Sequence, residues 1–114
     1  MINMHRQTLI VTLLRNKFPQ NLINLTIYVI HPFDDYPIPP RKLEKLVRKR
    51  SNEASYDLKS ILDGQGDLSS WERRAKSYLE GYISNAYMDK SDYHVTCWKN
   101  VLKNYNEPNN ESIN

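Results

Sequence analysis

The sequence predicts a mainly α-helical protein, with an α+β arrangement through the first 30 residues as the alternative. Three segments repeat apolar residues at helical spacing, near residues 41–63, 70–88 and 92–105. Residues that commonly begin or end helices, such as Ser, Gly and Pro, bound these segments. The expected fold is a small helical domain of three C-terminal helices plus an N-terminal helix or β-hairpin.

Length and composition indicate one domain. The 114 residues fit a single globular unit, predicted over 1–105, followed by a flexible tail at 106–114. The apolar stretch near the start, residues 9–14, is far shorter than the roughly 20 residues of a membrane span. Cys97 is the only cysteine, which excludes an intrachain disulfide and favours a reducing compartment such as the cytoplasm.

The first 30 residues leave two arrangements open. Residues 4–18 repeat apolar side chains at helical spacing and stop before Pro19, which favours a helix, although several β-branched residues make a strand the rival. Residues 22–30 alternate and are β-branched and aromatic, which predicts a strand. A single strand cannot stand alone, so this segment needs residues 7–14 as a hairpin partner, needs a partner chain, or is helical.

A proline-rich loop separates this region from the next helix. Residues 31–40 contain four prolines, a density that favours extended backbone. An apolar stripe over residues 43–62 predicts a helix that begins at Arg41. On a helical wheel of this segment, Arg50 falls on the apolar side. Either the segment is one helix, in which Arg50 has a partner or extends outward to solvent, or it is two helices with Ser51 as the N-cap of the second.

The two last helices carry most of the aromatic residues. Between Trp71 and Ala86 the apolar side chains fall within an arc of about 140°, which predicts an amphipathic helix with an aromatic buried face. Ser69 and Glu72 fit a capping box at its start. After a polar turn, Ser91 is the expected N-cap of the last helix, which places Val95, Trp98, Val101, Leu102 and Tyr105 on one face.

A run of basic residues at the start of the third segment is the first functional candidate. Six cations are opposed there only by Glu44, and most of them lie opposite the apolar stripe. A cationic helix face can lie along phosphates or meet an acidic protein surface, although many such faces are simply solvated. No nucleic-acid recognition motif accompanies the run. The nucleic-acid-binding candidates are Arg41, Lys42, Lys45, Arg48, Lys49 and Arg50.

Exposed aromatic and arginine side chains are the second candidate. Tyr87 lies near the edge of the predicted apolar arc and Tyr93 at a helix start, so we expect both to be exposed. Tyrosine and arginine are common anchors in protein interfaces. Residues 53–67 are acidic, and a surface with both signs of charge suits a protein partner. The predicted partner-binding residues are Tyr87, Tyr93, Arg73 and Arg74.

Two constellations could be catalytic sites, but a structural role is favoured for each, and an enzyme built on the first ranks below the two binding functions. His31, Asp34 and Asp35 share the proline-rich loop, where Asp is also an ordinary turn residue. His94 and Cys97 lie three residues apart on one helix, but no orienting group or oxyanion donor is visible, so a buried structural pair is favoured. Asp92 with His94 and Cys97 lacks the spacing of a zinc site. We therefore predict no catalytic residue, no metal and no cofactor.

These observations predict a non-enzymatic binding protein. The expected partner is another protein, and the protein would act as an inhibitor or regulator. An abundance of Asn, Lys, Ile and Tyr is typical of AT-rich coding sequences, as in phages and mobile elements. The alternative is a nucleic-acid-binding accessory protein that uses the basic helix 41–50. No membrane association is predicted, and the sequence leaves the oligomeric state open.

Overall fold

The computed structural model describes residues 4–107, which form five α-helices and contain no strand. The mainly α prediction is confirmed, and its α+β alternative is wrong. Residues 108–114, most of the predicted tail, lie outside the described residues, and Asn106, predicted to be the first residue of the tail, ends the last helix. The helices are α1 (Arg6–Arg15), α2 (Gln20–Ile30), α3 (Arg41–Leu62), α4 (Leu68–Met88) and α5 (Asp92–Asn106).

The segment predicted as a strand, residues 22–30, is helical and forms most of α2. This helix contacts all four others, so it is buried around most of its circumference. Its exposed side is narrow and includes Gln20 and Asn24, so the helical periodicity is weak and a short apolar run cannot be assigned by pattern. The β-branched residues fit because the surrounding helices fill the space around them. Its buried residues are Leu22, Ile23, Leu25, Thr26, Ile27 and Val29.

The third segment is one continuous helix, which settles the alternative of a break at Ser51. Arg50 projects outward, and its guanidinium bonds the Glu53 carboxylate at 2.8 Å one turn away. Ser51 is buried and its hydroxyl donates to the Arg48 carbonyl at 3.0 Å, so it needs no break in the helix. Leu46, predicted in the apolar stripe, is 42% exposed instead.

The start of α4 differs from the predicted capping box. The helix begins at Leu68, and the cap is Asp67, whose carboxylate accepts the backbone N–H of Ser70 at 2.8 Å. This hydrogen bond lowers the pKa of the Asp67 carboxyl. Glu72, predicted to close the box, accepts instead from the Tyr105 hydroxyl on α5. A cap two residues earlier thus leaves Glu72 free for a tertiary contact.

Three helices end in the same kind of turn. After α3, the N–H groups of Gly64 and Gln65 bond the Ile61 and Ser60 carbonyls, and Gly64 has φ +92°. This is the Schellman arrangement, which requires a left-handed residue just after the helix. Lysine occupies that position after α1 and α4, at Lys17 (φ 66°) and Lys90 (φ 54°). A lysine there is strained, because its Cβ crowds the backbone.

The core is built around α4, which packs against α2, α3 and α5. Trp71, Leu79 and Tyr82 on its predicted apolar face are fully buried, which confirms that face. The Trp71 indole donates to the Thr26 hydroxyl at 2.8 Å. The Tyr82 hydroxyl donates to the Val29 carbonyl at 2.7 Å, one of the last carbonyls of α2, which has no intrahelical donor. Two hydrogen bonds therefore fix α4 against α2.

No helix among residues 4–107 is both long and apolar enough to cross a membrane.

Candidate macromolecule-binding surface

The first half of α3 lies beside the second half of α4. Asp57, in the second half of α3, accepts the Tyr78 hydroxyl at 2.5 Å and lies 3.9 Å from the Arg74 guanidinium, both in the first half of α4. Arg50 and Gly81 line the same shallow cavity further along. The two helices are therefore antiparallel, and the basic start of α3 points toward the same end of the molecule as the end of α4.

The proline-rich loop joins the same end of the molecule. His94, in the first turn of α5, bonds the Pro37 carbonyl through Nε2 at 2.6 Å. A carbonyl only accepts, so Nε2 carries the proton and Nδ1 accepts from the Ser91 hydroxyl at 2.8 Å. Ser91 is the N-cap residue as predicted, but its hydroxyl serves His94 rather than the backbone. The loop thus contacts the start of α5, and the chain leads from the loop into α3 and from α4 into α5 at this end of the molecule.

Four of the six predicted basic residues have no ion pair among residues 4–107. Arg48 pairs with Glu44 at 2.9 Å and lies over the Phe33 ring, and Arg50 pairs with Glu53. At about 100° per residue, the other four span an arc of roughly 100° on the side of α3 opposite its buried residues. They extend over about 12 Å of the helix. These exposed, unpaired cations are Arg41, Lys42, Lys45 and Lys49.

The carboxylates of residues 53–67, in contrast, are bonded to other groups of the protein. Glu53 pairs with Arg50, Asp63 with Lys59 at 2.8 Å, and Asp57 with Tyr78 and Arg74. Asp67 caps α4. The acidic groups of residues 53–67 are therefore occupied, and the expected surface with two free signs of charge is largely one of free positive charge.

Large exposed apolar side chains accompany the cations at this end. Met88 at the end of α4 is 79% exposed, and Ile38 in the loop is 64% exposed. Tyr87 and Tyr93 are 56% and 54% exposed, as expected from their positions. We call this surface the basic end and define it by Ile38, Arg41, Lys42, Lys45, Leu46, Lys49, Tyr87, Met88 and Tyr93.

Both tyrosines of the basic end are held in place by neighbours on α5 and the loop. Lys99 lies over the Tyr87 ring and donates to its hydroxyl at 3.1 Å. The Tyr93 ring meets the Tyr36 ring edge-on, with centroids 6.3 Å apart. A hydrogen bond with the Cys97 thiol raises the pKa of Tyr93. Aromatic side chains fixed in this way lose little freedom when a partner covers them.

Arg73 and Arg74, also predicted to bind a partner, lie elsewhere. They are 13 and 14 residues before Tyr87 on α4, or about 20 Å along the helix axis. Arg74 turns toward Asp57 on α3, and Arg73 is exposed. The structure therefore does not bring the four predicted residues together, because the two arginines lie in the first half of α4, whereas Tyr87 lies at its end and Tyr93 at the start of α5.

Sequence reasoning missed Ile38, Leu46 and Met88. Met88 lies at the end of a helix and Ile38 between prolines, where periodicity gives no orientation. Leu46 fits the apolar stripe equally well whether exposed or buried. These residues can be identified only from the tertiary structure, because the antiparallel packing of α3 and α4 places them at the same end of the molecule.

The loop carboxylates have a structural role. The Arg6 guanidinium lies 3.2 Å from Asp35 and 3.9 Å from Asp34, and His31 Nδ1 lies 3.7 Å from Asp34. His31 Nε2 donates to the Met4 carbonyl at 2.8 Å. These contacts tie the start of α1 to the loop and occupy the groups that acid–base chemistry would need.

His94 and Cys97 do not form the expected pair. Both ring nitrogens of His94 are bonded to Ser91 and Pro37, while the thiol of Cys97 meets Tyr93. Among residues 4–107 there is no group of three or more His, Cys, Asp or Glu side chains that could hold a metal ion. His94 therefore links the proline-rich loop to the start of α5.

The chain matches no family model, and comparisons with curated proteins and with solved structures find no match either.

Proposed function

We propose that this protein is a non-enzymatic, cytoplasmic binding protein that uses the basic end to dock on an acidic surface of another protein, as an inhibitor or regulator. The observation that carries this proposal is the coincidence of unpaired cations and exposed apolar side chains at one end of the molecule. An apolar and aromatic centre with a charged rim is the usual composition of a protein interface.

The two kinds of side chain have separate roles in such an interface. Met88, Tyr87 and Ile38 offer apolar area, whose burial contributes about 25 cal/mol per Å² of surface removed from water. The four cations attract an acidic partner and raise its association rate, with less effect on the lifetime of the complex. None of these cations pairs with an acid among residues 4–107, so all are available to a partner.

Photo-crosslinking tests this proposal. A photoreactive residue replaces Met88 in one protein and Lys103, an exposed cation on α5, in another, and both are exposed to nuclease-treated extract of the native host. We expect one acidic protein to be captured from position 88 and not from position 103. Adding Lys45→Gln and Lys49→Gln should reduce capture severalfold, whereas the matched charge change Arg15→Gln and Lys103→Gln should not. Equal capture with both pairs would contradict the proposal.

Nucleic acid is the second candidate, favoured by the straight course of the four cations on one helix face. If each contacts a phosphate, the slope of log affinity against log salt should be about −3.6 for duplex DNA. Lys45→Gln with Lys49→Gln should then halve that slope. A salt-dependent dissociation constant below about 1 μM at physiological ionic strength would favour this candidate over the protein partner.

A further inference from the structure

A cleft of about 700 Å³ opens between α2 and α5, and no residue of the basic end lines it. Each helix contributes a face with the same spacing. Asn21, Asn24 and Tyr28 are at i, i+3 and i+7 on α2, and Cys97, Asn100 and Asn104 repeat that spacing on α5. Residues so spaced share one side of a helix. The volume lies within the range of about 300–1,000 Å³ that ligand sites occupy.

The amides of the cleft keep unused hydrogen-bonding capacity. The side chains of Asn100 and Asn104 bond no other group within residues 4–107. Asn24 accepts from Gln20 at 3.0 Å and Asn21 accepts the Leu22 N–H at 3.0 Å, so both retain their two N–H donors. Hydrogen-bond donors are therefore available on both α2 and α5, and hydrogen-bond acceptors are available on α5.

The lining carries no unpaired charge. No carboxylate lines the cleft, and its one charged residue, Arg6, is engaged by Asp35 at 3.2 Å. At one end the Tyr36 ring stacks on Tyr28, with centroids 5.8 Å apart. Burial and the neighbouring Tyr28 and Cys97 raise the pKa of Tyr36, so its hydroxyl stays protonated. A charged ligand would lose hydration in this cleft without gaining an opposite charge.

We infer that this cleft binds an extended, uncharged peptide segment. A carboxamide carries one acceptor and a donor group in one plane, which matches the C=O and N–H of a peptide group. Asn100 and Asn104 are about 6 Å apart along the helix axis, close to the roughly 6.6 Å between alternate residues of an extended strand. The stacked rings of Tyr28 and Tyr36 provide an apolar surface against which one side chain of the peptide can pack. This inference does not rest on the function proposed for the basic end, although Tyr93 of the basic end contacts Tyr36 and Cys97 of the cleft.

Affinity selection on the intact, immobilised protein tests the inference. The probe is a library of acetylated, amidated hexapeptides made only of Ala, Val, Ile, Ser, Thr, Tyr and Phe. We expect selected peptides to bind at micromolar concentration, with an affinity that is unchanged between 50 and 500 mM salt. Because Cys97 lines the cleft and is the only cysteine, a saturating peptide should slow its alkylation by N-ethylmaleimide at least tenfold.

Two changes identify the amides as the contacts. Asn100→Ala with Asn104→Ala should weaken the selected peptides at least tenfold, while Asn52→Ala, at an exposed position on α3, should leave binding unchanged. N-methylation of alternate peptide groups should weaken binding to the unaltered protein by a similar factor. The inference is overturned if no library peptide binds below 1 mM, if N-methylation has no effect, or if adenosine protects Cys97 and peptides do not.

Discussion

The two sides of α4 are packed by different means. Toward α2, the buried polar atoms are bonded: the Trp71 indole donates to Thr26, and the Tyr82 hydroxyl donates to Val29. Toward α5, the Tyr82 ring packs on Trp98 with centroids 5.6 Å apart, but the Trp98 indole N–H is buried and has no partner within residues 4–107. Among the fully buried groups, the α2 side is fixed by directional bonds and the α5 side by ring packing. The hydrogen bonds from α5 to α4, Tyr105 to Glu72 and Lys99 to Tyr87, lie nearer the surface.

This difference teaches which contacts specify the fold and which only stabilise it. A hydrogen bond between fixed groups sets the position of one helix on another, whereas ring packing tolerates small shifts. A buried N–H without a partner costs about 1–3 kcal/mol. We therefore expect α5 to be the more weakly held neighbour of α4, and the following variants test that expectation.

Tyr82→Ala should have the largest effect, because Tyr82 serves both sides. It is fully buried, and its loss should reduce the free energy of unfolding by about 3–5 kcal/mol. Tyr82→Phe keeps the ring and removes only the bond to Val29, so it should cost about 1 kcal/mol. Urea denaturation measures both. A change below 1 kcal/mol for Tyr82→Ala would mean that α4 is not the shared centre of the core.

Thr26→Val tests the bonded side alone. Valine has nearly the shape of threonine, but the buried Trp71 N–H then loses its acceptor, which should cost about 1–3 kcal/mol. Thr12→Val is the matched control, since the Thr12 hydroxyl donates to the Thr8 carbonyl at 2.8 Å and supports no second group. We expect the control to change stability by less than about 0.5 kcal/mol. Equal effects of the two substitutions would remove the distinction between the sides.

The two tryptophans provide a direct comparison, because both are fully buried and Trp→Phe removes the same atoms from each. Trp71→Phe loses a hydrogen bond, whereas Trp98→Phe removes an unpartnered donor. Trp71→Phe should therefore cost about 1–2 kcal/mol more than Trp98→Phe. Thermal unfolding followed by far-UV circular dichroism measures the difference. A costlier Trp98→Phe would reverse the comparison.

The smallest effects are expected at the helix-end turns. Lys90→Gly, in the turn between α4 and α5, and Lys17→Gly, between α1 and α2, should each raise stability by about 0.5–1 kcal/mol by removing left-handed strain. Gly64→Ala, at the equivalent position after α3, should lower it by a similar amount. A greater gain at Lys90 than at Lys17 would indicate that the turn also limits the packing of α5.

The sequence was sufficient to predict α4 and α5 as amphipathic helices, because each has one buried face and a clear helical period. It was insufficient for α2, where burial around most of the circumference obscures the helical period, and for the start of α4, where Asp67 and Ser69 are both good caps. The candidate cations were predictable from composition, but which of them stay unpaired depends on the partners Glu44 and Glu53. The basic end as a surface required the antiparallel packing of α3 and α4.

The ion pairs of α3 have an evolutionary consequence. Arg48 and Arg50 pair with acids about one turn away on α3, and Lys59 pairs with Asp63, the residue just after the helix. Four other cations pair with no residue of the described chain: Arg41, Lys42, Lys45 and Lys49. The fold therefore does not depend on the outward charges of this helix, and substitutions there are nearly neutral for stability. Descendants of this sequence can exchange these four residues while the core remains the same.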